Sequence, residues 1–174
     1  MEILRMLPRY IAFAFAIAAC GAPARAEEPR EYKIEAAYLY NFFNYVTWPG
    51  YASPQELRQP TICLYGTDPI QPYLHYMERK MEGERKLNVR IVQEGASTKG
   101  CQMLFLRRLP SREMEQSIAS DTLVVLAAAD PLDQGGMIEL LHENERVLIN
   151  IHLPLLSAGG FRISSRLMDL AQNK

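Results

Sequence analysis

The chain has 174 residues, a formal net charge of −1, and a hydrophobic share of 48%. This length suits a single domain with its own core and is short for two. The near-neutral charge argues against nucleic acid as a partner. The basic pairs, such as Arg79 with Lys80 and Arg107 with Arg108, are interpreted as solvated ends of helices or strands rather than phosphate sites.

Residues 1–26 have the pattern of a secretory signal peptide. Arg5 and Arg9 precede an apolar run at 11–19, and residues 24–26 (Ala-Arg-Ala) form a small-x-small cleavage site. We therefore expect cleavage after Ala26 and an exported domain of residues 27–174. Residues 17–20 also fit a lipobox, so a lipid on Cys20 is the alternative. The apolar run is too short for a bilayer-spanning helix, which needs about 20 residues.

Half of the aromatic residues of the chain lie between positions 32 and 51. At helical spacing, the apolar side chains there form two adjacent stripes, which predicts a helix that is apolar over most of its circumference. Pro49 disfavours helical geometry at Trp48, so this helix should end near position 46 or 47. Either the rest of the domain or a second molecule must cover it. Tyr40 and Phe43 are the candidates for self-association.

The remainder of the chain alternates between predicted strands and helices. Strands are predicted at 61–65, 87–92, 103–106 and 123–126, with helices at 70–80 and after the cap residue Ser111. Short apolar strands favour a parallel sheet covered on both faces by helices.

The C-terminal part is predicted to end this sheet with an antiparallel hairpin. Its strands are residues 137–141 and 147–151, joined by a polar turn at 142–145. A closing helix should follow, capped by Ser164 or Ser165, with its apolar side chains turned inward; these are Leu167, Met168 and Leu170. The expected fold class is α/β: a single three-layer domain, with a mostly parallel sheet flanked by helices and an antiparallel C-terminal edge hairpin.

Few residues in the sequence point to chemistry. Without Cys20, the cysteines left are Cys63 and Cys101, and in an oxidising compartment the simplest outcome is one structural disulfide; a redox role is the alternative. No phosphate-binding loop, nucleophile elbow or His-x-x-x-His motif is present. The histidines, at 75, 142 and 152, lack ligand spacing. The sequence therefore predicts no catalytic residues, no cofactor and no metal.

Eight short segments, taken in chain order, resemble the YfiR family of exported bacterial proteins. They are EYK at 31–33, AAYLYNF at 36–42, WP at 48–49, ICLYG at 62–66, Cys101 with LFL at 104–106, GGMI at 135–138, INI at 149–151 and ISSRLMDLA at 163–171. Together the segments extend over nearly all of the chain that follows the signal peptide.

This resemblance implies a periplasmic α/β domain that is not an enzyme. Such proteins bind the periplasmic domain of an inner-membrane diguanylate cyclase and hold it inactive, which lowers cyclic di-GMP and biofilm formation. An outer-membrane lipoprotein can sequester them. The resemblance also implies a disulfide between Cys63 and Cys101 and a tendency to form homodimers. Some members carry a second cysteine pair that is absent here between 130 and 160, so redox gating through that pair is in doubt for this chain.

An inhibitor of this kind acts through exposed apolar surface, because it shifts a conformational equilibrium by differential affinity. The predicted partner interface is an apolar run near the C-terminus: Leu153, Leu155, Leu156, Phe161 and Ile163. The plainer interpretation is that these side chains bury the last helix. The alternative function is a periplasmic small-molecule receptor, in which Tyr and Trp side chains stack on a planar aromatic ligand at the carboxyl ends of the strands.

Overall fold

The computed structural model describes residues 30–80, 86–127, 135–143 and 146–171. The predicted signal peptide and the alternative at Cys20 lie outside these ranges. Within them, no helix is both long and apolar enough to span a membrane.

Helix α1 (Arg30–Tyr45) is the predicted aromatic helix. It ends where the chain enters the short strand β1 (Val46–Thr47), as Pro49 led us to expect. Leu39, Phe42 and Phe43 are fully buried, whereas Asn41 is exposed. The helix is therefore embedded in the domain along most of its length.

Six strands form the main sheet, in the order β3-β2-β4-β5-β6-β7. The strands are β2 (Thr61–Tyr65), β3 (Asn88–Val92), β4 (Met103–Leu106), β5 (Leu123–Leu126), β6 (Ile138–Glu143) and β7 (Arg146–Ile151). All neighbours are parallel except β6 and β7, which form an antiparallel pair at one edge. The predicted fold class and edge hairpin are confirmed. His142 and Glu143, which we expected in the turn, continue strand β6.

Four more helices complete the described fold. They are α2 (Gln71–Lys80), α3 (Arg112–Ser117), α4 (Leu153–Ala158) and α5 (Ser165–Leu170), with a 3-10 turn at Pro54–Glu56. Ser111 Oγ accepts from Met114 N at 3.1 Å, and Ser164 caps α5, so both predicted caps are present. The prediction that the Leu170 side chain turns inward is wrong, because Leu170 is 59% exposed. Leu167 and Ala171 mark the buried stripe of α5, and Leu170 lies to one side of it.

The sheet separates two apolar cores, which makes three layers. On the α1 face, alternate strand residues such as Ile62, Leu64 and Phe105 pack under α1 and α2. On the α3 face, Leu104 and Leu106 pack with Met114 of α3. This division follows from the period of two in a strand, which sends successive side chains to opposite faces.

The disulfide between Cys63 and Cys101 belongs to the α3 face. Its Cα atoms are 5.7 Å apart, and both residues are buried. It joins β2 to the segment that leads into β4, so the predicted pairing is confirmed. Arg90 Nη2 donates to Cys101 Sγ at 2.8 Å, which places a guanidinium beside the bridge.

A second, two-stranded sheet was not predicted. Strand β8 (Arg162–Ile163) pairs antiparallel with β1, so that Val46 lies opposite Ile163. Strands of two residues carry no hydrophobic periodicity, and this pairing joins distant parts of the chain. It attaches the C-terminal segment to the end of α1.

Candidate functional site

A buried ion cluster lies where the parallel strands reach their carboxyl ends on the α1 face. Arg107 follows β4, and its Nη1 and Nη2 donate to the two carboxylate oxygens of Glu35 on α1, each at 2.6 Å. Arg107 Nε donates to Asp68 Oδ2 at 2.9 Å, and Nη2 donates to Asp68 Oδ1 at 3.1 Å. Both carboxylates are nearly inaccessible, with side-chain exposures of 0% and 4%. One cation therefore joins α1 to the segments that follow β2 and β4.

His142 adds the edge hairpin to this cluster. Its Nε2 lies 2.7 Å from Glu35 Oε1, and its Nδ1 lies 3.4 Å from Glu31 Oε2. Glu31 and Glu35 are one turn apart on α1, so the imidazole bridges both from β6. The cluster thus links three strand ends and the N-terminal half of α1.

The protonation of Arg107 follows from these contacts. Burial by itself lowers the pKa of Arg107, but the hydrogen bonds and the charges of Glu35 and Asp68 outweigh burial and raise the pKa above its ordinary value. The guanidinium also lies over the rings of Phe105 and Tyr32, with centroid distances of 4.9 and 5.1 Å. Its donors are directed at protein carboxylates, so the arrangement stabilises the fold and does not present a free cation to a ligand.

Our interpretation of Arg107 as a solvated strand end is wrong, and the sequence did contain a signal. Glu35 falls at helical spacing with Leu39 and Phe42, which places a carboxylate on the buried stripe of an apolar helix. A charge in that position needs a partner of opposite sign. Within the described residues, no group of three or more His, Cys, Asp or Glu side chains is placed to hold a metal ion.

A second ion cluster, built on the buried carboxylate of Glu139, lies beside helix α4. Glu139 is 3% exposed and accepts from Gly135 N at 3.2 Å and from Asn150 Nδ2 at 2.9 Å. His152 Nε2 lies 3.0 Å from Glu139 Oε2, and His152 N donates to Met137 O at 3.0 Å. His152 is the residue immediately before α4. The side chain and the backbone of His152 therefore hold the start of this helix against β6.

Helix α4 presents an exposed apolar surface, which we call the α4 patch: Leu153, Pro154 and Leu155. The two leucines are 43% and 44% exposed. The expectation of exposure is wrong for Leu156 and Phe161, which are 2% and 4% exposed. Both anchor α4 to the core. Residue 156 is the inward position of this short helix, and the Phe161 ring packs in a T-shaped arrangement with the Trp48 ring, with centroids 6.2 Å apart. Ile163 is half-buried in β8.

A comparison with known protein families identifies the family of this chain. The sequence profile of the YfiR/HmsC-like family matches residues 32–172. The chain belongs to the YfiR/HmsC-like family. This YfiR-like family is regulatory rather than catalytic, and it is periplasmic. Among curated proteins, none matches the chain significantly.

The candidate self-association residues of this YfiR-like domain differ in exposure. Phe43 is fully buried and stacks on Trp48 at 5.0 Å, so it is not available to a second molecule. The expectation is therefore wrong for Phe43, which lies on the side of α1 that packs into the core. Tyr40 is half-buried beside the core, and its part in self-association stays a prediction.

The receptor alternative requires an aromatic-lined crevice, and this function stays a prediction. Trp48 is 3% exposed and is enclosed by Phe43 and Phe161. A cavity of about 460 Å³ opens beside α3, lined by residues such as Leu109, Ile118 and Met137, and no aromatic side chain of the described residues lines it. Stacking on a planar ligand is therefore not supported there.

Proposed function

We propose that this YfiR-like domain is a periplasmic regulatory binding protein that represses an inner-membrane diguanylate cyclase through the α4 patch. The observation that carries the proposal is the exposure of Leu153 and Leu155 on a helix that is otherwise fastened to the core. The family supports a regulatory role in the periplasm. Repression would lower cyclic di-GMP and thereby biofilm formation.

The α4 patch is held rigidly, which suits an interface. His152 fixes the start of α4, and at its end Gly159 N donates to Leu155 O at 3.1 Å while Phe161 N donates to Leu156 O at 3.0 Å. A preorganised surface loses little conformational entropy on binding, so more of the apolar burial contributes to affinity. Exposed leucines on a fixed backbone are favourable contacts for an apolar groove of a partner.

Repression of this kind requires no catalytic group. A protein that binds the inactive conformation of a cyclase more tightly than the active one shifts the population by the ratio of the two affinities. A competitor for the same surface, such as an outer-membrane lipoprotein, would reverse that shift. The proposal therefore uses the exposed leucines and leaves both buried ion clusters in structural roles.

Leu155→Asp tests the proposal. Position 155 is in the first turn of α4, where an acidic side chain is compatible with the helix dipole, so the fold should be retained. We expect the affinity for the periplasmic domain of the cyclase to fall by about tenfold or more and cellular cyclic di-GMP to rise. Affinity is measured by calorimetry with that domain, and cyclic di-GMP by mass spectrometry at equal protein abundance.

Leu170→Asp is the matched control, because Leu170 is 59% exposed on a different helix, α5. It should bind and repress like the wild type. If Leu155→Asp represses normally, or if both variants lose repression equally, the α4 patch is not the interface. Phe161→Asp is unsuitable as a test, since a buried charge at that position would unfold the domain.

A further inference from the structure

Strand β3 is an end strand of the six-stranded sheet, and one of its edges faces away from β2. Asn88 N donates to Pro60 O at 2.9 Å, so residue 88 and the residues two and four positions later pair with β2. In a parallel ladder, the intervening residues direct their backbone groups to the other side. The backbone amides and carbonyls of Val89 and Ile91 therefore point outward. The Ile91 side chain beside them is 39% exposed.

A glutamate side chain accepts a hydrogen bond from the outward backbone amide of Val89. Glu78, near the end of α2, accepts from Val89 N through Oε1 at 2.9 Å. The other carboxylate oxygen lies 2.9 Å from Nδ1 of His75, one helical turn earlier. The carboxylate thus occupies the position in which the carbonyl of an added strand would bind. Charged side chains at sheet edges are a general means of preventing strand addition.

We propose that Glu78 guards this edge and prevents β3 from pairing with β3 of a second copy of the chain. A two-fold axis at Arg90 would place Val89 opposite Ile91 of the other copy, and the reverse. In that antiparallel register, the outward backbone groups of the two strands satisfy each other. This self-complementarity is the reason to name a second copy as the excluded partner.

The side chain of Arg90 does not by itself block such a pairing. Its Nη2 donates to Lys99 O at 3.0 Å and to Cys101 Sγ at 2.8 Å, so the guanidinium is drawn toward its own loop on the α3 face. An approaching strand would instead have to displace Glu78 from Val89 N. The bond from Val89 N to Glu78 thus prevents two six-stranded sheets from joining into one.

Sedimentation velocity of Glu78→Ala, over a wide concentration range, tests this inference. We expect the weight-average mass to rise with concentration to about twice that of the wild type, as in a two-fold assembly. Glu113→Ala, which removes an exposed glutamate from α3, is the control and should behave like the wild type. A mass for Glu78→Ala equal to that of the wild type would overturn the proposal.

A second substitution locates the new contact. Adding Ile91→Lys to Glu78→Ala should restore the wild-type mass, because a lysine on an edge strand opposes strand addition. Hydrogen exchange at residues 88–92 should slow with concentration in Glu78→Ala alone. Self-association that survives Ile91→Lys would place the contact elsewhere and contradict the proposal. If Glu78→Ala loses its native circular dichroism spectrum, Glu78→Met replaces it, because methionine keeps the length of the side chain but has no oxygen to accept from Val89 N; a wild-type mass is again the contradicting result.

Discussion

Arg107 shows how much a single side chain contributes to the order of this domain. It donates to two buried carboxylates, Glu35 and Asp68, which come from positions far apart in the sequence. Removing Glu35 would leave Arg107 with Asp68 as its remaining carboxylate, so the cost is the loss of the two charged hydrogen bonds to Glu35. The residue-scale test is therefore to remove one carboxylate and compare it with an exposed one nearby.

Glu35→Ala should lower the free energy of unfolding by about 1.5–3 kcal/mol, because Arg107 keeps Asp68 but loses its bidentate bonds to a carboxylate whose exposure is 0%. The measurement is urea denaturation followed by circular dichroism. Glu31→Ala is the matched control, one turn earlier on α1, since Glu31 is 46% exposed and lies 3.4 Å from His142. Glu31→Ala should lower the free energy of unfolding by less than about 1 kcal/mol. Equal losses for the two variants would show that the cluster does not depend on burial.

At the scale of elements, α1 and α4 use apolar residues in opposite ways. Helix α1 directs Leu39, Phe42 and Phe43 into the core, so its aromatic content contributes to stability rather than to recognition. Helix α4 has one inward residue, Leu156, and presents leucines to solvent. The longer helix positions the sheet, and the shorter one provides the candidate interface.

Phe43→Ala should lower the free energy of unfolding by about 3–5 kcal/mol, because it leaves a cavity against Trp48. Asn41→Ala, on the exposed side of the same helix, should change it by less than about 0.5 kcal/mol. Thermal unfolding gives the order of stability, and sedimentation gives the mass. If the Phe43→Ala protein had wild-type stability but a different mass in sedimentation, Phe43 would be part of a self-association surface after all.

At the scale of the whole molecule, the disulfide connects β2, the strand next to the edge strand β3, with the segment before β4, across 38 positions of sequence. Cross-linking a loop of that length stabilises the fold mainly by restricting the unfolded chain. Both sulfurs lie in the core on the α3 face, so the bridge adds to packing that is already present.

Cys63→Ser should lower the free energy of unfolding by roughly 4 kcal/mol on the chain-entropy model. Cys101→Ser should do the same. The double variant should lose no more than about the same amount, because all three proteins lack one common bond. Denaturant titration of the oxidised wild type and the variants gives the comparison. Losses that add in the double variant would show that the two cysteines contribute independently of the bridge.

Local patterns in the amino-acid sequence predicted much of the architecture. The apolar runs at 61–65, 103–106 and 123–126 became strands with those bounds, and Ser111 and Ser164 cap helices as predicted. These features depend on neighbours in sequence: the period of side chains in a strand, the chemistry of a helix cap, and the effect of a proline on the preceding residue. Short local segments of the sequence were also sufficient to indicate the family.

Tertiary contacts decided which side chains are free. Leu155 and Leu156 are adjacent and chemically identical, yet one is exposed and the other buried, because α4 turns only one of its faces to the core. Glu35 and Arg107 meet across 72 positions, and the pairing of β1 with β8 joins the middle of the chain to its end. Exposure and charge pairing depend on which distant segments pack together, so they follow from the assembled fold and not from any single stretch of sequence.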